Sequence, residues 1–97
     1  MIISFGDPAT EDLFHRRETR RVRQFPPDII RTALRKLDVI NIAHQLGDLR
    51  SPPANRLKAL KGDLKGYHSI RVNDQWRIQF RWVDGGAYDV SLIDYHS

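Results

Sequence analysis

Basic side chains and a terminal pair of proton-carrying side chains are concentrated in the second half of the chain. The lysines and arginines could bind the oxygens of a phosphodiester, and the terminal pair could move protons or stack on a base. RNA carries its own nucleophile in the 2′-OH, so a protein can cleave it by holding the scissile phosphate, stabilising the developing charge and moving two protons. That chemistry needs neither a metal ion nor a protein nucleophile. The basic residues are Arg56, Lys58, Lys61, Lys65, Arg71, Arg77 and Arg81, and the terminal pair is Tyr95 and His96.

Ordinary structural roles remain open for the terminal pair and for the other histidines. Tyr95 could be an edge aromatic that packs on a sheet, and His96 could be a frayed residue at the chain end. His15 and His44 each lack a neighbouring group that would orient the ring for acid–base work. We therefore assign His15 and His44 no catalytic role.

Other kinds of catalytic site have little support in the sequence. The chain has no cysteine, and no serine lies in a GxSxG turn, which argues against a nucleophilic triad. The four histidines show no metal-ligand spacing such as HExxH, and the phosphate-binding motif GxxxxGK[ST] is absent. We predict that the protein uses no metal ion and no cofactor.

Length and composition indicate one small basic domain, residues 1–97. The net charge is +4 and the isoelectric point is near 9.9, which favours an anionic partner such as nucleic acid. No apolar run approaches the roughly 20 residues of a membrane-spanning helix, and the first residues lack the apolar core of a signal peptide. The absence of cysteine is typical of a reducing compartment, so we expect a cytoplasmic protein without a membrane partner.

A hairpin over residues 66–82 organises the basic residues. Alternation predicts two strands with a buried face, and matching their apolar faces requires an odd loop at residues 73–75. In that register Ile70 faces Ile78 and Arg71 faces Arg77. Because like charges opposite each other are unfavourable, the pair indicates an anion site. The alternative is two solvated arginines that splay apart.

The remaining pattern predicts an α+β domain in which a strand and two helices precede a four-stranded, mostly antiparallel sheet. We expect a strand at residues 1–5, a helix capped by Asp7 that ends near Arg17, and a basic connector at residues 18–24. A second helix follows and runs to about Ala43, with Ile29, Ala33, Leu37 and Ile40 on its buried face. Further strands are predicted at residues 56–60 and 87–96. Tyr88, Val90 and Leu92 are assigned to the core face of the last strand.

Several motifs together resemble the HigB branch of the RelE/ParE toxin superfamily. They are RLKALKGDLKGYHSIRVNDQWRIQFRW at residues 56–82, DYH at 94–96, MIISF at 1–5 and LRSPP at 49–53. The resemblance implies a barnase-like ribonuclease fold and a toxin that cleaves mRNA in the ribosomal A site. It also implies a HigA-type helix-turn-helix antitoxin, through which alone the toxin would reach operator DNA.

Family members place catalytic or RNA-contacting groups at positions that match Lys61, Arg77, Asp94, Tyr95 and His96. Some relatives have a histidine where this chain has Lys58, which removes one possible acid or base. We predict that Arg77 and Lys61 bind the scissile phosphate, and that Tyr95 and His96 handle protons. The RNA backbone on either side of the scissile phosphate is predicted to be bound by Arg56, Lys58, Lys65 and Arg71. Two alternatives stay open: a ParE-like inhibitor of DNA gyrase, and a non-catalytic module that binds RNA or the ribosome.

Overall fold

Two helices cover one face of a four-stranded antiparallel sheet in the computed structural model, which describes residues 1–95. The strands follow one another in space in the order of the sequence. The two α-helices precede the strands in the sequence, and the strands pair in one sheet, so the predicted α+β architecture is confirmed. The helices are α1 (Pro8–Phe14) and α2 (Pro27–Ile42), and the strands are β1 (Lys58–Ala59), β2 (Tyr67–Arg71), β3 (Trp76–Val83) and β4 (Gly86–Asp94).

The helices begin where the sequence predicts. Asp7 caps α1 by accepting a hydrogen bond of 2.7 Å from the backbone N–H of Thr10. α1 ends at Phe14 rather than near Arg17, because Arg16 adopts a left-handed conformation with φ of 58°. α2 ends at Ile42, as expected. Its buried face packs on the sheet and consists of Ile29, Ala33, Leu37 and Ile40.

The hairpin has the predicted register. Ile70 pairs with Ile78 and Arg71 pairs with Arg77, while both isoleucines are fully buried. The tip is held by Asn73, whose Oδ1 accepts hydrogen bonds from the N–H groups of Gln75 at 2.9 Å and Trp76 at 2.7 Å. These bonds close the three-residue loop at residues 73–75, and this loop length keeps the apolar faces of β2 and β3 on the same side of the sheet.

The assignment of Tyr88 to the core face is wrong. Gln79 pairs with Ser91 but Arg81 pairs with Tyr88, so one residue of β3 lies opposite two residues of β4. This bulge reverses the alternation of β4. Tyr88 therefore lies on the face of Arg81, whose guanidinium carbon is 5.0 Å from the centre of the Tyr88 ring.

The first residues form two parallel bridges to β4 instead of a regular strand. Ile2 pairs with Ala87 and Phe5 pairs with Val90, and these contacts cover the outer edge of the sheet. The sheet is therefore mixed at this edge. No helix among residues 1–95 is long and apolar enough to span a bilayer.

Asp12 organises the basic connector that follows α1. The buried carboxylate accepts hydrogen bonds from Thr19 at 3.0 Å, Arg17 at 3.2 Å and Arg21 at 3.3 Å. Desolvation tends to raise the pKa of Asp12, but the bonds from these three side chains outweigh it, so the pKa lies below its usual value. Arg17 and Arg21 are thus held by an internal carboxylate.

We predict that Asp12→Asn lowers the Tm at neutral pH and that this loss disappears in acid. Because the folded pKa of Asp12 is lowered, its stabilising effect is complete above the unfolded pKa and is lost as pH falls through the folded value. The gap in Tm between the two proteins should be constant above about pH 5 and close below about pH 4. Asp84→Asn, at an exposed turn, is the control and should change the Tm little. A gap that persists in acid would contradict this role for Asp12.

Candidate functional site

The candidate site lies on the face of the sheet opposite the helices. Strand alternation places Ser69 and Arg71 of β2 on this face, together with Arg77 and Gln79 of β3. Lys58 joins them from β1 because it pairs with Ser69. This arrangement brings polar side chains from adjacent strands into one surface around Arg77.

Arg77 is fixed by three hydrogen bonds to neighbouring strands and loops. Its Nε donates to Ser69 Oγ at 2.8 Å, and its Nη2 donates to the carbonyl oxygens of Arg56 at 2.6 Å and Ser69 at 3.2 Å. None of the residues at positions 1–95 accepts a hydrogen bond from the other terminal nitrogen, Nη1. One edge of a half-buried, oriented guanidinium is therefore available to a ligand.

The electrostatics of Arg77 favour an anion. Burial lowers the pKa of Arg77; Tyr95 opposes this, and the positive charges of Arg71 and Arg56 lower it further. The guanidinium nevertheless stays charged at neutral pH. Within the part of the chain that the structure describes, no carboxylate forms an ion pair with Arg77. A bound phosphate oxygen would supply the missing negative charge.

Tyr95 is the proton-carrying side chain that the structure places beside Arg77. Its ring centre lies 5.9 Å from the guanidinium carbon of Arg77, and its hydroxyl donates a 3.4 Å hydrogen bond to Gln79 Oε1. The backbone N–H of Tyr95 donates to the carbonyl of Gln75 at 2.6 Å. Tyr95 therefore packs at the sheet edge and also presents its phenol on the face of Arg77. His96 lies outside the described residues.

Arg71 and Asp94 lie near Arg77 but are directed elsewhere. Arg71 pairs with the carboxylate of Asp74 at the hairpin tip, so the two facing arginines do splay apart, although Arg77 is anchored rather than solvated. Asp94 pairs in register with Trp76 and accepts a 3.0 Å hydrogen bond from Gln75. Alternation puts Asp94 on the opposite side of β4 from Tyr95.

The other residues predicted to bind phosphate or RNA lie on and around β1. Lys61 and Lys65 flank the short 3-10 turn Gly62–Leu64, and both are exposed. Arg56 has its backbone in the left-handed region, with φ of 45°, and contributes its carbonyl oxygen to Arg77. The backbone of Arg56 thus has a role that the sequence did not predict for it.

Ser69 and Gln79 are residues of the candidate site to which the sequence analysis assigned no role. Ser69 is fully buried and supplies two of the three acceptors for Arg77, while Gln79 binds Tyr95. The predicted register could have identified Ser69, because it places Ser69 diagonally across from Arg77, within reach of a long side chain. A hydroxyl at that position is a ready acceptor.

We predict that Ser69→Ala releases the Nε–H of Arg77. The Arg77 Nε–H resonance should lose its protection from solvent exchange. The free energy of unfolding should fall by about 1–2 kcal/mol, because a hydrogen bond to a charged group is lost. NMR hydrogen exchange of the arginine side chains measures the first effect. Ser91→Ala, on the same face of β4, is the control. Unchanged protection in Ser69→Ala would contradict the anchoring role.

Comparisons with known proteins agree over nearly the whole chain. Residues 4–96 match the family model described as RelE-like toxin of type II toxin-antitoxin system HigB. Toxin HigB-1 of Vibrio cholerae is 41% identical over 92 residues, which are 95% of each chain. Endoribonuclease HigB of Proteus vulgaris is 36% identical over 96 residues, covering 99% of this chain and 100% of the relative.

Solved structures support the same fold at lower sequence similarity. The YoeB–YefM complex from Staphylococcus aureus contains a chain with a TM-score of 0.61 and 18% identity, and the match covers 100% of this chain and 99% of that one. The YoeB dimer from the same organism has a TM-score of 0.60 and 20% identity, with 99% and 98% covered. On the match to the family model and the two sequence relatives, the chain belongs to the HigB family of RelE-like toxins of type II toxin–antitoxin systems.

Proposed function

We propose that this toxin is a ribosome-dependent endoribonuclease that cleaves mRNA by attack of the 2′-OH on the adjacent phosphate. The observation that carries this proposal is Arg77, a half-buried guanidinium with three anchoring bonds. Among residues 1–95 it has neither an acceptor for Nη1 nor a carboxylate partner. A pre-oriented cation of this kind is suited to charge that develops on a phosphoryl oxygen. The name of the relative from Proteus vulgaris, an endoribonuclease, is consistent with this assignment.

The reaction requires one bond to form and one to break at phosphorus. The 2′-oxygen attacks the phosphorus, the bond to the 5′-oxygen breaks, and a 2′,3′-cyclic phosphate and a 5′-hydroxyl result. The proton of the 2′-OH passes to a base, and the leaving 5′-oxygen receives a proton from an acid. We assign to Arg77 the stabilisation of the negative charge on the phosphoryl oxygens, with Lys61 as a second cation.

Proton transfer is assigned to Tyr95 and His96. The Tyr95 hydroxyl lies on the face of Arg77 and is hydrogen-bonded to Gln79, which orients it. His96 follows directly in the sequence, and histidine is a side chain that can both take and give protons near neutral pH.

The ribosome would hold the mRNA in the geometry for attack, which so small a site does not impose by itself. In-line attack requires the 2′-OH to be held opposite the leaving oxygen, and correct positioning alone contributes a large part of a rate enhancement. The face around Arg77 is an open surface with few proton-carrying groups. We therefore propose that mRNA is cleaved when it is held in the ribosomal A site, in the cytoplasm.

A HigA-like helix-turn-helix antitoxin is the proposed protein partner. Support comes from the family, whose members are toxins of toxin–antitoxin systems, and from the similar chain in the YoeB–YefM complex. In this proposal the antitoxin neutralises the toxin and carries it to operator DNA, which the toxin does not contact alone.

We predict that Arg77→Ala reduces cleavage of ribosome-bound mRNA by about 100-fold or more, because a pre-oriented donor to the developing charge is lost. The matched control is Arg81→Ala, on the same strand and face, where Arg81 is bound to Asp89 at 3.4 Å and covers Tyr88. The control should retain most activity. Single-turnover cleavage on programmed ribosomes measures both. Full activity of a folded Arg77→Ala protein would contradict the assignment.

Mapping of mRNA ends after induction in cells separates this function from its alternatives. New 5′ ends inside reading frames, absent for Arg77→Ala, are expected. Intact mRNA with arrested DNA synthesis would instead support gyrase inhibition. Intact mRNA and normal DNA synthesis, with translation blocked, would support a binding module without catalysis.

A further inference from the structure

An apolar hollow with a basic rim lies beside the candidate site. Its walls are Ala59, Leu60 and Leu64, and its rim carries Lys58 and Lys61; together they enclose a shallow cavity of about 350 Å³. Leu64 is 38% exposed, so its side chain is accessible to a ligand in this hollow. Of the residues that the structure describes, neither an aspartate nor a glutamate lines this hollow.

The hollow is joined to the Arg77 site through the sheet. Lys58 pairs with Ser69, the residue that anchors Arg77, and the Leu60 N–H continues the ladder to the Tyr67 carbonyl at 2.9 Å. Alternation therefore places Lys58 and Leu60 on the face of Arg77, while Ala59, which pairs with His68, lies on the other side of this edge strand. β1 is two strands away from β3, so the two backbones are about 10 Å apart, given the usual spacing between strands. The Arg77 side chain crosses part of this distance, since its Nη2 donates to the Arg56 carbonyl.

The combination of apolar walls and a lysine rim fits a nucleotide. The flat face of a base is apolar and can be covered by the leucine side chains, whereas the phosphates on either side would meet the lysines. Among residues 1–95, no carboxylate forms an ion pair with Lys58 or Lys61. An apolar protein segment would leave both ammonium groups without a counter-charge, so the charges favour the nucleotide.

We propose that this hollow binds the base of a nucleotide next to the scissile phosphate, a proposal that rests on the proposed function for the single-stranded RNA ligand and for the phosphate at Arg77. Arg77 holds the scissile phosphate with Lys61 as the second cation, Lys58 holds the neighbouring backbone, and Leu60 and Leu64 cover the base. Apolar contact reads the presence of a base rather than its hydrogen-bonding edge. Affinity should therefore depend little on which base occupies the hollow.

A double-mutant cycle with abasic RNA tests the proposal. The probe is a short fluorescent 2′-O-methyl RNA, which lacks the nucleophile and stays intact, and a set of copies in which one position at a time lacks its base. Binding to the unmodified chain and to Leu64→Ala is measured by anisotropy. Leu64→Ala should weaken binding of the complete probe about fivefold or more, by the usual contribution of base contacts. Ile42→Ala is the control, since Ile42 is 71% exposed and lies on α2 away from this face.

The expected result is one or two abasic positions at which Leu64→Ala has no further effect, because the missing base and the missing side chain form one contact. Equal losses from Leu64→Ala on every probe, unchanged affinity, or no binding of the complete probe by the unmodified chain would overturn the proposal. The readout is binding and not cleavage. Coupling in a protein that does not cleave RNA would support base binding in the hollow and contradict the proposed nuclease activity. Cleavage without coupling would support the nuclease activity and contradict base binding in the hollow.

Discussion

The pairing of Ile70 with Ile78 is the constraint on which the rest of the site depends. Both side chains are fully buried beneath α2, so a slip of one residue would expose them and bury arginines instead. The same register places Arg71 opposite Arg77 and brings Ser69 within reach of Arg77. Core packing and the geometry of the candidate site are thus set by one strand pairing.

The cost of placing two like charges opposite each other is reduced in different ways for the two arginines. Arg71 turns to Asp74, while Arg77 turns to a hydroxyl and two carbonyl oxygens. Other arginines of the described chain, such as Arg17 and Arg81, pair with carboxylates. Arg77 is held by neutral acceptors, which orient its charge without neutralising it. That distinction makes it the centre of the proposed phosphate site.

Periodicity predicted the elements and the register because burial leaves a strong pattern in the sequence. It failed at Tyr88, because a bulge depends on contacts that are distant in the sequence. Asp89 adopts a left-handed conformation with φ of 54°, and its N–H donates to Ser4 Oγ at 2.9 Å. The site was predicted in part: Arg77 and Tyr95 do lie together, as expected. The anchoring by Ser69 and the Arg56 carbonyl depends on side-chain directions that alternation does not specify.

The nature of the cut ends tests the central claim most directly. An mRNA bound in the ribosomal A site would be incubated with the toxin, and a second copy would carry a single 2′-deoxy nucleotide at the position of cleavage. The account predicts fragments with a 2′,3′-cyclic phosphate and a 5′-hydroxyl, and no cut at the deoxy position. Fragments with a 5′-phosphate, or equal cleavage of the deoxy-substituted RNA, would contradict attack by the 2′-OH.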